Sequence, residues 1–296
     1  MGFSGSAKAA PCCARNAATP MLIVGDDRAQ FNVGLALANV VAVADEEGIP
    51  TFGAPQNSEA LQTYRLDGSF LLSDRLQAGA SFSLVNHSIT ADDIKDSTFA
   101  MGDTRLHLGY EIMPVWNYSK WKPQGFLFTT LTLPTGRSIH ESQKGPSTDV
   151  TGNGFYAVSV GMLAVKRVGF LDFFVVPEVH YSFPRVFSGD LDRRLLPGWG
   201  GSIGAGFGWS PGGGNLRLGL RVHPRLDQGV TSIYPDRVEQ SRGWLSVCDT
   251  GFDAAYLLSA TDSLMVSYTD QTLLGVATNL NLNRSLSINF QHRLER

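Results

Sequence analysis

Side chains of alternating character recur along most of this chain, and that period of two constrains its fold more than any other feature. A strand places successive side chains on opposite faces. The stretch Thr63–Val85 (TYRLDGSFLLSDRLQAGASFSLV) therefore reads as a hairpin. Tyr64, Leu66, Phe70 and Leu72 share one face, rejoined after Ser73-Asp74 by Leu76, Ala78, Ala80, Phe82 and Leu84. Arg65, Asp67, Ser69, Gln77, Ser81 and Ser83 share the other. A soluble antiparallel sheet with one face on a core produces the same pattern in a single hairpin, so repetition has to decide.

The pattern returns at Phe31–Val43, Thr104–Ile112, Gly125–Leu133, Phe155–Val165, Asp172–Phe183, Trp199–Trp209, Asn215–Arg225, Leu245–Leu258, Ser263–Thr269 and Ser285–Leu294. With the two arms of the hairpin this predicts about twelve strands, mostly of about 9 to 13 residues, the length expected of a tilted strand that crosses a bilayer. Connections alternate too. Short turns are expected at Ser73-Asp74, Pro114–Gln124, Lys166–Gly169, Ser210–Gly214 and Ala260–Asp262, and longer polar loops near 45–60, 87–103, 136–153, 184–198, 226–243 and 270–283. Sorting of short turns to one end and long loops to the other is the sidedness of an up-and-down outer-membrane barrel, with periplasmic turns and extracellular loops. The expected fold class is therefore all-β, a transmembrane up-and-down antiparallel barrel of about twelve strands. Its first and last strands should pair, because an open edge cannot satisfy its backbone groups in hydrocarbon.

Composition agrees. Of 296 residues 43% are hydrophobic and 17% charged, which excludes a disordered chain. No apolar run approaches the roughly 18 residues of a helical span. A net charge of -3 gives no footing for a nucleic-acid partner. The five tryptophans fall near predicted strand ends, Trp116, Trp121 and Trp209 on the short-turn side and Trp199 and Trp244 on the long-loop side, as membrane-interface girdles. Residues 1–28, rich in Ala, Pro and Asn, read as a segment outside the wall, periplasmic or folded into the lumen as a partial plug; 29–296 read as the barrel. Met1–Pro20 lacks the apolar core of a secretory signal, so a removed signal peptide is expected. Cys12 and Cys13 are adjacent and Cys248 is isolated; a disulfide, a metal site and a free pair are all open for the first two, and neither cofactor nor metal is otherwise called for.

The run LTLPTG at Leu131–Gly136, leading out of a strand, followed by GNGFYAVSVGMLAVK at Gly152–Lys166, leading back into one, resembles the outer-membrane transporter family named for the meta pathway of phenol degradation. The resemblance implies a bacterial outer-membrane barrel that admits small organic compounds, and it carries over no site residue. The chain departs from the usual pattern of outer-membrane strands in ending Leu294-Glu295-Arg296, without a terminal aromatic residue.

On the barrel reading the polar phase lines the lumen: Arg65, Asp67, Arg105, His107, Glu111, Asp172, Glu178, His180, Arg217, Arg221, His223, Asp249, Asp253 and Arg293. Arg217, Arg221 and His223 on one strand, with Asp249 and Asp253 on the next, are expected to form the constriction, or else to cancel one another's charge and stiffen the wall. The all-Gly and Ser inward face of Gly200–Gly208 is expected to leave room. About twelve strands enclose more space than the eight whose side chains can fill an interior. The function expected is passive uptake of small organic or polar solutes through an outer-membrane channel, its partners being outer-membrane lipid and a small-molecule solute, with a homo-oligomer open. The alternatives are a plugged structural or adhesive barrel and a barrel hydrolase. Both GxSxG and HExxH are absent, and His87 and His140 are expected in loops, so no enzyme activity is assigned.

Overall fold

The computed structural model describes residues 20–24, 27–53, 58–91, 94–114, 121–187, 193–211, 215–234, 238–240 and 243–295. In chain order its strands are β1 (Asp27–Ala44), β2 (Pro50–Phe52), β3 (Ser58–Leu71), β4 (Leu76–Ala91), β5 (Ile94–Met101), β6 (Thr104–Met113), β7 (Gln124–Leu133), β8 (Ala157–Val168), β9 (Leu171–Ser182), β10 (Arg185–Phe187), β11 (Arg193–Leu196), β12 (Gly198–Trp209), β13 (Leu216–Asp227), β14 (Thr231–Ile233), β15 (Val238–Gln240), β16 (Leu245–Leu257), β17 (Asp262–Asp270) and β18 (Leu280–Glu295). The wall runs β1-β3-β4-β6-β7-β8-β9-β12-β13-β16-β17-β18, every neighbour antiparallel, and β18 pairs back onto β1. This is a closed twelve-strand barrel of outer-membrane type, and all twelve wall strands coincide with the alternating segments of the sequence. Phe31 stands opposite His292 and Ala38 opposite Ser285, so the first strand lies against the last as closure requires.

Alternation holds on both faces. Tyr64, Leu66 and Phe70 on β3 and Leu216, Leu220 and Val222 on β13 are exposed on the outside, where lipid satisfies them. Arg65, Asp67 and Ser69, and Arg217, Arg221 and His223, occupy the opposite phase. Four wall strands, β1, β3, β4 and β18, have 14 to 18 residues. These exceed the ~9–11 needed for a tilted span, so their ends at the long-loop side project beyond the membrane.

Among the described residues the polar loops hold six further strands that periodicity alone missed: β2, β10, β11, β14 and β15, whose three or four residues are too few to show a period, and the eight-residue β5. β5 continues β4's partner strand beyond a break at Gly102-Asp103, pairing Leu84 with Met101 through Ala91 with Ile94. His87 consequently sits in β4, buried, with its imidazole on Glu59 at 2.9 Å and on the Val150 carbonyl at 3.3 Å; the loop placement expected for it is corrected. β10, β11, β14 and β15 make a separate four-stranded sheet from the β9–β12 and β13–β16 connections.

Candidate functional site: the lumen

Three connections turn inward at the long-loop end. The first, between β7 and β8, buries Ser138, Thr148, Asp149, Val150, Thr151 and Phe155. Its root carries the Pro-Thr-Gly and Gly-Asn-Gly sequences. There the Asp103 carboxylate accepts hydrogen bonds from the Gly136 amide at 3.1 Å and the Asn153 amide at 2.7 Å. Thr135 accepts from the Thr104 amide and donates to the Gly102 carbonyl, so both ends of the loop are tied to the break between β5 and β6. Farther out, burial raises the Asp149 carboxyl, but the Gln143 amide, the Ser142 hydroxyl and Arg137 outweigh it and hold the group at about 2.

The second is the small sheet, whose Phe187 and Leu195 pack on Phe155 of the first loop. Arg185 binds Glu141 at 2.6 Å and the Gly154 carbonyl at 2.6 Å, and Arg193 donates to His140 Nδ1 at 2.9 Å. Burial, and then the Arg193 charge, push His140 down to about 4. The third is the β17–β18 connection. Ala277, Leu280 and Leu282 cluster there with Ala42, Ala44 and Val247, and Gln271 donates to Asp249 at 2.8 Å.

At the short-turn end the lumen receives residues 20–24. The Ile23 amide donates to Gln77 Oε1 at 2.6 Å, and the Met21 carbonyl meets the Ser69 hydroxyl and His107 Nε2. Leu22 packs with Phe126, Phe128, Leu163 and Val176. Residues 1–19, with Cys12 and Cys13, lie outside the described residues.

Between these two coverings lie two cavities. One, of about 150 Å³, is bordered by the strands from β6 to β13, with apolar Ile139, Phe155 and Val230 above and Glu178, His180, Arg225 and Asp227 around it. The other, of about 200 Å³, lies toward β1, β3, β4 and β18 and is lined by Arg65, Ser83, Thr269, Asn283 and Ser285. Asp103, Arg105 and Asn153 border both.

The expected lumen residues separate by depth. Arg65 is paired with Asp67 at 2.9 Å, and Arg105 borders both cavities. His180 binds Asp227 at 3.0 Å beside Glu178. His107 holds Met21, and Glu111 accepts from Gln124 at 2.8 Å nearer the short-turn end. Arg293 is a rim residue that donates to the Ala260 carbonyl of a turn. The expected basic and acidic rows are neighbours, with His223 opposite Asp249 and Gly219 opposite Asp253. Arg217 bridges Asp172 at 2.7 Å and Asp253 at 2.6 Å, Arg221 binds Thr269 at 2.9 Å, and His223 stays 3.9 Å from Asp249. None of Arg217, Arg221, His223, Asp249 and Asp253 borders either cavity.

The glycine face of β12 leaves no empty room, a second correction. Gly208 lies under the Arg217 guanidinium and Gly200 under His180 and Asp227, so the small residues accommodate neighbours' large side chains. Arg225 and Asp227 were legible as the continuation of the β13 alternation past Pro224. Asp103 and Asn153 were not, since one sits at a strand break and the other in a loop.

Outside, Trp199 and Trp244 mark the long-loop end and Trp209 and Trp121 the short-turn end, all exposed; Trp116 lies outside the described residues. At the short-turn rim His292 binds Asp262 at 2.7 Å, but Ser259 donates to that same carboxylate at 2.6 Å. Its hydroxyl is therefore engaged by the acid, whereas a nucleophile would be paired with the imidazole.

No family model matches the chain, and no curated protein matches it. Solved structures do. The COG4313 outer membrane channel from Pseudomonas putida F1 superposes with a TM-score of 0.70 at 13% identity, over 92% of this chain and 97% of that one. The translocator domain of the autotransporter NalP from Neisseria meningitidis gives a TM-score of 0.50 at 10% identity, over 92% and 91%. At these identities the likeness establishes the fold, an outer-membrane barrel.

Proposed function

We propose that this protein is a passive outer-membrane channel for small organic or polar solutes, in line with the resemblance of its Pro-Thr-Gly and Gly-Asn-Gly segments to the meta-pathway transporter family. The observation that carries this reading is the pair of cavities inside a closed wall, both bordered by Asp103, Arg105 and Asn153. A lumen with mixed charged, amide and apolar lining offers orientation without tight capture, which conduction requires. The charged residues on the lumen phase serve two purposes in this proposal. Arg65, Arg105, Glu178 and His180 contact the solute, and the Arg217–Asp172–Asp253 cluster braces the wall.

A second reading, the plugged barrel, is favoured by one observation. Residues 20–24 are held by Gln77, Ser69 and His107, with Leu22 among aromatic side chains. The two readings converge if the segment restricts the lumen and yields. Swelling of liposomes that carry the purified protein, in isotonic solutions of small solutes of graded size, tests the channel directly. Size-dependent swelling above protein-free liposomes supports it, and none for any solute favours the plugged barrel.

A further inference from the structure

We infer that the short-turn end of the lumen is a binding site for an extended peptide, one that reads backbone and takes a branched aliphatic side chain at its centre, and that residues 20–24 are the ligand it holds in cis. As a restriction of the lumen the contact rests on the channel reading; as a peptide site it does not.

The polar contacts are the first argument. Gln77 Oε1 accepts from the Ile23 amide at 2.6 Å, and Gln77 Nε2 donates to the Ile23 carbonyl at 3.4 Å. One side chain thereby meets both backbone groups of one residue, as a neighbouring strand would. The Met21 carbonyl accepts from the Ser69 hydroxyl and from His107 Nε2, the latter at 2.9 Å. Ser69, Gln77 and His107 are 1%, 1% and 3% exposed, so the contacts are built into the interior. Every residue except proline offers the same amide and carbonyl, and none of these bonds specifies a side chain. Residues 20–24 belong to no strand. A closed wall has no free edge for a further strand to join, so side chains read the backbone instead.

Shape is the second argument. Leu22 is buried with Phe126, Phe128, Leu163 and Val176. Gly109 stands opposite Gln77 in the wall, and a β-carbon on it would come 2.6 Å from a Leu22 methyl. Gly79 likewise stands opposite His107 and leaves the space that its imidazole fills. Larger residues at these two positions would displace the segment or the group that holds it. Ile23 is buried beside the anchor, whereas Met21 is half-buried and Val24 exposed, so the aliphatic requirement centres on Leu22. Tethering keeps such a site filled even where its intrinsic affinity is low, because a short linker holds the segment at roughly millimolar effective concentration.

The full chain carrying Leu22→Asp, whose own segment cannot seat its anchor, is compared in detergent with the unsubstituted protein. The probe is the dye-labelled peptide Pro-Met-Leu-Ile-Val amide, followed by fluorescence anisotropy against protein-free micelles. Saturable binding at least about tenfold tighter to Leu22→Asp than to the unsubstituted protein is expected. Aspartate for the peptide's leucine, or N-methylisoleucine for its isoleucine, should each weaken binding at least about tenfold, whereas serine for its methionine should change it less than about twofold. Gly109→Val or Gln77→Leu, each added to Leu22→Asp, should also weaken it at least about tenfold. Should either added variant fail to fold, the peptide substitutions serve, since they leave the barrel untouched.

Equal binding to the two proteins, or no saturable binding, overturns the site. Unchanged affinity for the aspartate peptide overturns the anchor, and unchanged affinity for the N-methylated peptide overturns the reading of backbone. Saturable binding without liposome swelling would contradict the channel and keep the site. Swelling without binding would do the reverse.

Discussion

Gly136 packs so closely on Gly152 that a β-carbon on the first would stand 2.8 Å from the Cα of the second. Two backbones meet there at the root of the inward β7–β8 loop, beside the Asp103 carboxylate that ties both ends. Gly136→Ala must push them apart, since the contact is with backbone that cannot rotate away. We predict faster amide exchange across 137–151 and noisier single-channel current, with the strand amides of β7 and β8 unaffected. Exchange limited to rates seen in the unsubstituted protein would show that the close contact does not hold the loop.

The two faces of the wall should respond differently to the same charge. Leu220 is 46% exposed on the outer face, and Leu220→Arg there should cost about 2–4 kcal/mol near the bilayer midplane. Gly219→Arg is no clean partner for this comparison, because the space over Gly219 is occupied by Asp253 and Arg217. Ser285→Arg, which faces the larger cavity, is the better one and should cost under about 1 kcal/mol. Urea titration in lipid vesicles reads both; equal losses would reverse the face assignment.

The wall strands were legible because a surface between lipid and a polar lumen imposes a strict period on every residue. Phe31, Leu66 and Leu220 had no alternative to facing outward. What lay outside that rule could not be read. Asp103 sits where the period breaks, the Asn153 side chain is placed by a loop, and β10 and β11 are too short to repeat. The glycines of β12 misled for a physical reason. A residue without a side chain records that space is needed, not who fills it, and Arg217 and His180 fill it.

Acid should loosen the extracellular cover. His140 is held at about 4 in the folded protein against roughly 6.5 when free. The unfolded loop therefore binds the proton more readily, and stability contributed by neutral His140 is full above about 6.5 and lost as the pH falls toward 4. Arg193, which donates to His140 Nδ1 at 2.9 Å, opposes the new charge. Asp149, held at about 2, adds a loss of the same sign below its free value of roughly 3.8, at still lower pH. Amide exchange of residues 138–155 should rise between pH 6.5 and 4.5, and His140→Gln should remove that step. A pH-independent profile would exclude His140 from the response.

Arg217→Ala should weaken the barrel more than it alters selectivity. It removes the guanidinium that Asp172 and Asp253 share, bound at 2.7 and 2.6 Å. Such a loss costs about 1–3 kcal/mol for partly buried groups. A lowered urea midpoint with unchanged ion selectivity is expected. Unchanged stability with altered anion preference would place Arg217 in the constriction.

Single-channel conductance of the intact chain against a variant lacking residues 1–24 puts the proposed restricted channel to its most direct test. Residues 20–24 reach Gln77, Ser69 and His107 inside the wall, and Leu22 joins the aromatic cluster. Their removal should raise conductance at least about twofold and abolish brief closures, with Leu22→Asp intermediate. Identical conductance in the two proteins would show that the segment does not restrict the lumen, and failure of both to conduct would contradict the channel itself.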